Sequence, residues 1–201
     1  MIIVDGRQSE RRLDEFSNLE ELLTSLMGAE DMQGRVLTDV LVDDETFSEI
    51  YPHQSEDMAC DGFAKVEIKT APAKEIALEI SGELDKVARM MASGGRNVGR
   101  LLREGKKSDA LELLQDLLDV TRDFMGMLAH LRDQYLGGAD EEFVAKAEKL
   151  SDLVTEMSDV LESEDWILLA DLLEYEFVPM CEDWRVLGEN VHRQLKAAYG
   201  K

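Results

Sequence analysis

The pattern of apolar residues changes at Pro72, and this change most constrains how the chain can fold. Before Pro72, short apolar runs are separated by turn residues; after it, apolar residues recur at intervals of three and four positions almost to the C-terminus. Short runs bounded by turns are typical of strands, whereas intervals of three and four are typical of amphipathic helices. The sequence therefore predicts an α+β chain with a small domain at residues 1–71 and a helical domain at residues 72–201.

The composition excludes several functional classes. With 44% apolar residues the chain is too hydrophobic to be disordered. Its formal charge of −22 is then spread over a folded surface that repels nucleic acid and anionic membranes. The first residues lack the basic flank and long apolar run of a signal peptide, and no later stretch reaches the ~18 apolar residues of a membrane span. We therefore expect a cytoplasmic protein with no nucleic-acid partner and no membrane partner.

The N-terminal region begins with a predicted hairpin and a short helix. Residues 1–4 form a β-branched run before Asp5-Gly6, a dipeptide typical of tight turns. Residues 8–15 are polar, which predicts no more than an edge strand. Ser17 and Glu20 fit a capping box before leucines at helical spacing, and Gly28 is predicted to end that helix.

Three further strands complete the predicted order ββαβ(β)β. They are expected at residues 36–42, 45–47 and 66–70, with Asp43-Asp44 as a turn between the first two. Over Met1 to Thr70 this order resembles the ubiquitin-like β-grasp fold, in which a mixed sheet wraps one helix. The chain continues through Ala71 and Pro72 and has no free diglycine there, so the resemblance implies neither conjugation nor sulfur-carrier chemistry. It implies an interaction or docking module.

Four helices are predicted after residue 71. Pro72 suits the first turn of a helix, where its missing N–H costs nothing. The other predicted boundaries are Gly105 as the end of the first helix, Ser108 as the N-cap and Gly137-Gly138 as the end of the second, Asp140 as the start of the third, and Ser163 just before the fourth. Because the connections are short, the sequence predicts an antiparallel four-helix bundle.

Two interruptions of the helical pattern stand out. Pro179 lies inside the fourth helix, where a missing donor and a crowded preceding turn predict a kink just before it. Gly94, Gly95 and Gly99 lie inside the first helix, although each costs about 1 kcal/mol relative to alanine there. The glycines indicate either close packing of a neighbouring element or a break in the helix.

The first predicted helix carries a row of arginines. Between residues 86 and 107 there are seven cations and one carboxylate, whereas residues 108–183 carry four cations and 21 carboxylates. Helical spacing places four of the arginines on one side, which we call the arginine stripe: Arg89, Arg96, Arg100 and Arg103. One interpretation is internal pairing with acidic flanks of neighbouring helices. The other is a surface for an anionic partner or a ligand with phosphate groups.

Residues 167–177 are apolar on nearly every side and contain three carboxylates. We expect Asp171 or Glu174 to pair with a cation of the arginine stripe; the alternative is that the β-grasp unit or another subunit covers part of this helix. Tyr175 lies off the apolar seam, which makes it a candidate for the centre of a partner surface. Trp184 continues the seam and is predicted to lie in the core.

No motif for chemistry withstands inspection, so we predict no catalytic residue, no cofactor and no metal. A di-iron bundle needs two Glu-x-x-His motifs, and only Glu189 to His192 fits, since His53 and His130 lack the glutamate. Gly94 to Gly99 follows no strand and is therefore no dinucleotide loop. Cys60 and Cys181 stand far apart in the sequence, which favours two idle thiols.

These observations favour a non-enzymatic interaction or docking protein of bacterial type, in which a β-grasp domain is joined to a four-helix bundle. The sequence does not identify the protein partner, and a homodimer is one of the alternatives. A secretion or flagellar-type chaperone is one alternative, suggested by size, acidity and helices. A regulator or enzyme that binds a phosphate ligand at Arg89, Arg96, Arg100 and Arg103 is the other.

Overall fold

The computed structural model describes residues 1–47, 55–138 and 141–200. The chain is α+β and divides into two compact units, Met1–Ile76 and Ala77–Lys201. Each unit has its own cluster of buried apolar side chains. The boundary between the units lies a few residues after the position at which the apolar pattern of the sequence changes.

The first unit contains a five-stranded mixed sheet. Its elements are β1 (Ile2–Val4), β2 (Arg7–Gln8), α1 (Leu19–Met27), β3 (Arg35–Val42), β4 (Glu45–Thr46) and β5 (Val66–Pro72). The strand order is β2-β1-β5-β3-β4; β1 runs parallel to β5, and the other neighbouring strands are antiparallel. Asp5 and Gly6 have φ of 49° and 76°, the left-handed region that a two-residue hairpin turn requires.

The core of this unit lies between α1 and the sheet. Leu19, Leu22 and Leu26 are buried on one side of the helix, as their spacing predicts. They belong to the same apolar cluster as Ile2 of β1 and Ile68 of β5. Side chains from both ends of the unit's sequence therefore share one core.

Three details of this unit differ from the predictions. The strand expected at residues 8–15 is only Arg7–Gln8, and Leu13–Glu15 forms a 3-10 turn. The N-cap of α1 is Asn18 in place of Ser17: its side-chain oxygen accepts a hydrogen bond from the Glu21 amide at 2.9 Å. Pro72 ends β5, opposite Arg35, and does not begin a helix.

The second unit is helical. Its elements are α2 (Ala73–Arg103, which begins before the unit boundary), α3 (Lys107–Tyr135), α4 (Glu141–Glu162), α5 (Trp166–Leu172), a π-helical turn (Leu173–Phe177) and α6 (Val178–Tyr199). Gly105 ends α2 with φ of 74°, and Gly137 and Gly138 end α3 with φ of 85° and 101°. Lys106, not Ser108, is the N-cap of α3. Asp140 and His53 lie outside the described residues. No helix in the described ranges is both long enough and apolar enough to cross a membrane.

The two predicted interruptions have different outcomes. The π-helical turn ends at Phe177, two residues before Pro179, in the region where the sequence predicts a kink. The glycine-rich part of α2 is not broken, because the helix runs without interruption from Ala73 to Arg103. A Cβ on Gly95 would lie 2.9 Å from Phe177 Cδ1, and one on Gly99 would lie 3.3 Å from the carbonyl oxygen of Ala170. The glycines therefore allow close packing.

Candidate functional site

The arginine stripe does not act as one unit. Arg89 pairs with Asp85 on its own helix, with Nε 2.8 Å from Oδ2. Arg100 pairs with Glu104, the residue that directly follows α2, at 2.6 Å, and donates a second hydrogen bond to Asn97. Arg103 instead contacts another helical segment, and Arg96 has no ion pair with a described residue. The stripe is therefore a set of distinct local contacts on one helix side.

Arg103 joins α2 to α5 and to the π-helical turn. Its Nη2 donates to Asp171 Oδ1 at 2.7 Å, and its Nη1 donates to Glu174. These hydrogen bonds raise the pKa of Arg103, with Asp171 as the larger cause. The internal pairing predicted for Asp171 and Glu174 is confirmed, and Arg103 provides the cation for both.

A second ion-pair cluster was not predicted from the sequence. Asp85 of α2 accepts hydrogen bonds from Arg89 and from Arg185 of α6, the latter at 2.9 Å. Both arginines stabilise the ionised carboxylate and lower the pKa of Asp85 to about 2, with Arg89 the larger cause. Arg185 also pairs with Glu182 at 2.7 Å and with Glu189. The sequence contained a signal for part of this cluster, because Glu182, Arg185 and Glu189 are spaced by three and four residues.

Arg96 differs from the other members of the stripe. It is exposed, and among the described residues it forms neither a hydrogen bond nor an ion pair. It lines two concave surfaces. One, of about 430 Å³, includes Cys181 and Arg185; the other, of about 490 Å³, includes Asn97 and Arg100. Arg96 therefore presents an uncompensated charge beside two concavities.

Tyr175 is on the surface of the helical unit, 68% exposed on the π-helical turn. Ile167 and Leu168 of α5, on the same helical stretch, are 60% and 42% exposed. We call these three residues the Tyr175 surface. Trp184, in contrast, is 1% exposed and packs edge to face on Phe143 at 5.6 Å, which confirms its core position.

Ser81 and Cys181 are two side chains of the helical unit that carry nucleophilic atoms. Ser81 Oγ donates to the carbonyl oxygen of Leu78 at 2.8 Å and lies 2.9 Å from His192 Nδ1. When Nδ1 is unprotonated, the hydroxyl proton has two neighbouring acceptors, Leu78 O and Nδ1; in the other tautomer the hydroxyl accepts from the imidazole. Burial raises the pKa of the Cys181 thiol to about 12, which keeps it protonated at neutral pH. No set of three His, Cys, Asp or Glu residues in the described ranges is arranged for a metal ion.

Comparison with known families divides the chain at nearly the same place as the structure. The family model described as Domain of unknown function (DUF8043) matches residues 1–71. The one described as Domain of unknown function (DUF8042) matches residues 79–187. Neither the curated proteins nor the solved structures give a match. Because the second match spans more than half of the 201 residues, the chain belongs to the family described as Domain of unknown function (DUF8042).

Proposed function

We propose that this chain is a non-enzymatic interaction protein that docks a protein partner on the Tyr175 surface of its helical unit. The observation that carries the proposal is the 68% exposure of Tyr175, the largest among the exposed large apolar side chains of the described residues. Tyrosine is enriched among the residues that dominate binding energy at protein interfaces. Its ring contributes apolar contact area while its hydroxyl remains able to hydrogen-bond.

The ion pairs beside Tyr175 support this role. Arg103 holds Asp171 and Glu174, the residue that directly precedes Tyr175. The backbone that carries Tyr175 is thereby linked to α2, while the ring stays exposed. A surface that is already ordered loses less conformational entropy on binding than a mobile one. The π-helical turn is also a form that occurs frequently at functional sites.

The proposal includes a cytoplasmic location in a bacterial-type cell and a partner that is either another protein or a second copy of the chain. A secretion or flagellar-type chaperone is a narrower form of the same function, in which the partner is an exported subunit. The net charge of −22 supports protein partners over nucleic acid or anionic membrane.

The test is a Tyr175→Ala variant of the full chain, examined by pull-down from an extract of the native host and by analytical ultracentrifugation. We expect an unchanged melting temperature and a loss of partner recovery or self-association. Val186→Ala, which truncates an apolar residue of α6 that is 45% exposed, is the matched control and should bind normally. Wild-type recovery and wild-type mass for Tyr175→Ala would contradict the proposal.

A phosphate-binding regulator or enzyme is a second candidate, favoured by the uncompensated charge of Arg96 between two concavities. A thermal-shift screen of nucleotides and phosphorylated metabolites tests it. Stabilisation that disappears in Arg96→Gln would support a phosphate ligand. Stabilisation that persists in Arg96→Gln would exclude Arg96 as its contact.

The same proposal covers the finer architecture. The parallel pairing of β1 with β5 and the packing of α1 in the sheet's core support a ubiquitin-like β-grasp fold for the first unit. Long helices that share one apolar core, with short connections between α2 and α3, support an antiparallel four-helix bundle for the second.

A further inference from the structure

A cavity of about 560 Å³ lies in the sheet unit, apart from the residues of the proposed docking surface on the helical unit. It is formed by the β1–β2 hairpin, the C-terminal end of α1 and the start of β3. The residues that matter for its chemistry are Arg7, Arg11, Arg35, Leu26 and Met32, and we call it the arginine cavity. Its volume is within the range of cavities that bind ligands.

The three arginines of the cavity have different environments. The Arg7 side chain is exposed, and its guanidinium has neither a hydrogen bond nor an ion pair with any described residue. Arg11 donates from Nη1 to the hydroxyl of Ser25 at 2.7 Å, a neutral partner that leaves its charge uncompensated. Arg35 is fixed by hydrogen bonds to Thr70 and by an ion pair with Asp5 at 3.0 Å. The positive charges of Arg7 and Arg11 therefore remain available to bind an anionic group.

The carboxylates at the cavity do not cancel both charges. Asp5 accepts hydrogen bonds from the Thr70 amide and hydroxyl, each at 2.7 Å, in addition to its pair with Arg35. These contacts, led by the backbone amide, lower the pKa of Asp5 and occupy its oxygens. Asp31 is the other carboxylate of the lining, so the two available arginines exceed it by one charge. Residues 1–71 as a whole carry six cations and 17 carboxylates, so this excess is local and opposite to its surroundings.

Apolar side chains form the remainder of the cavity. Leu26, at the end of α1, is buried, while Met32 and Val4 are partly exposed beside it. A free inorganic anion would gain nothing from these side chains. An occupant that fits them carries apolar groups next to its negative charges.

The sheet edge beside the cavity favours an extended chain over a compact ligand as the occupant. Among the residues that the structure describes, β2 pairs with β1 alone and forms an edge of the sheet. On β2, Gln8 lies between Arg7, which pairs with Val4, and Ser9, whose amide donates to Ile2 O at 2.9 Å. Because backbone groups alternate in direction along an antiparallel strand, the amide and carbonyl of Gln8 point away from β1. Neither group has a hydrogen-bond partner among the described residues. Such an edge is able to pair with an extended peptide.

We propose that the arginine cavity binds an extended acidic segment of a partner protein. The segment pairs its main chain with Gln8, places carboxylates at Arg7 and Arg11, and packs an apolar side chain on Leu26 and Met32. This site is additional to the Tyr175 surface and requires no residue of it. The chain would then contact partners through each of its two units separately.

The experiment measures binding of a fluorescein-labelled peptide to the full chain by fluorescence anisotropy. Valine and glutamate alternate at every second position of the peptide, with serine between them, so that both share one face of the extended chain. We expect binding that weakens with salt, and little binding of the matched peptide with glutamine at every glutamate position. Arg7→Gln and Arg11→Gln should each raise Kd by roughly tenfold, the effect of losing one charge-assisted hydrogen bond. Arg12→Gln is the control, because Arg12 is exposed, adjacent in sequence and outside this cavity; its Kd should stay within about twofold of wild type.

A second measurement tests the edge pairing. In amide NMR spectra of the full chain, the peptide should shift the resonances of Gln8 and Ser9. Equal binding of the glutamine peptide, equal effects of Arg12→Gln and Arg7→Gln, or no binding would overturn the proposal. Binding of citrate or inorganic phosphate at this cavity without binding of the peptide would also overturn it, in favour of a small anion. Tyr175→Ala should leave peptide binding unchanged. The proposal for the arginine cavity can therefore be refuted without refuting the one for the Tyr175 surface, and the reverse also holds.

Discussion

Asp85 shows how a single residue links two helices of the second unit. It is bonded by Arg89 from its own helix and by Arg185 from α6, and its side chain is only 34% exposed. An ionised carboxylate between two guanidinium groups is favoured over the neutral acid, which is why the pKa of Asp85 falls to about 2. Protonation of Asp85 therefore weakens both its contact with Arg89 within α2 and its contact with Arg185 of α6.

From this shift we predict a specific effect of acid on stability. Since the folded-state pKa is below the ordinary value of 3.8, the stabilisation is present at neutral pH and is lost as the pH falls through about 2. Asp85→Asn should lower the free energy of unfolding at neutral pH and should make its decline between about pH 4 and pH 2 less steep. Urea titrations at several pH values measure both effects.

The control for this prediction is Asp116→Asn, which changes an exposed carboxylate of α3 that forms no ion pair with a described residue. It should leave the pH profile close to that of the wild type. If Asp85→Asn and Asp116→Asn gave the same profile, the contacts of Asp85 with the two arginines would not contribute to stability.

The candidate site could be predicted from the sequence only in part, and the arginines show why. Heptad spacing places Arg96 and Arg103 on one side of α2, but it does not specify which carboxylate each meets. Arg103 lies opposite Asp171 and Glu174, whereas Arg96 meets no carboxylate of the described residues. Partner choice depends on how far one helix is shifted along its neighbour. No pattern within a single helix reports that shift.

At the scale of elements, the glycines of α2 lower the helix propensity but allow a neighbouring segment to pack closely against the helix. Gly95 is buried, and a Cβ there would lie 2.9 Å from Phe177 Cδ1 and 3.2 Å from Val178 Cγ2. Both contacts are to the segment where the π-helical turn meets α6. The position tolerates no larger residue unless that segment moves.

We predict that Gly95→Ala destabilises the chain by about 1–3 kcal/mol, the usual effect of forcing an extra carbon into a packed interior. Gly126→Ala, in the middle of α3 where nothing lies within 4 Å of a Cβ, should instead stabilise it by about 0.5–1 kcal/mol. Chemical denaturation of both variants tests the pair. A Gly95→Ala variant as stable as Gly126→Ala would show that the contact between α2 and the Phe177 segment is loose.

The positions of elements were more predictable from the sequence than their ends. Long helices such as α2 repeat the same signal over many turns, so one misleading residue does not hide them. A cap depends on one or two residues, and several neighbours compete for the role; Asn18 takes the place expected for Ser17. The π-helical turn was unpredicted, because a proline indicates where a helix is disturbed but not which distortion results.

At the scale of the whole molecule, independent observations divide the chain. The two family models match residues 1–71 and 79–187 without overlap. The apolar clusters of the structure likewise separate, since no residue of one belongs to the other. A unit with a complete core of its own is expected to fold by itself.

We therefore predict that a fragment of residues 73–201, which retains all of α2, folds without the sheet unit. Its apolar core contains Trp184, Phe177 and Leu128, each at most 1% exposed, and the described residues of this apolar cluster all belong to the fragment. Circular dichroism should show a helical spectrum, and thermal and urea unfolding should be cooperative and coincide between probes. A fragment that is unfolded, or that melts without cooperativity, would show that the sheet unit completes the helical core, and the two family matches would then correspond to one folding unit.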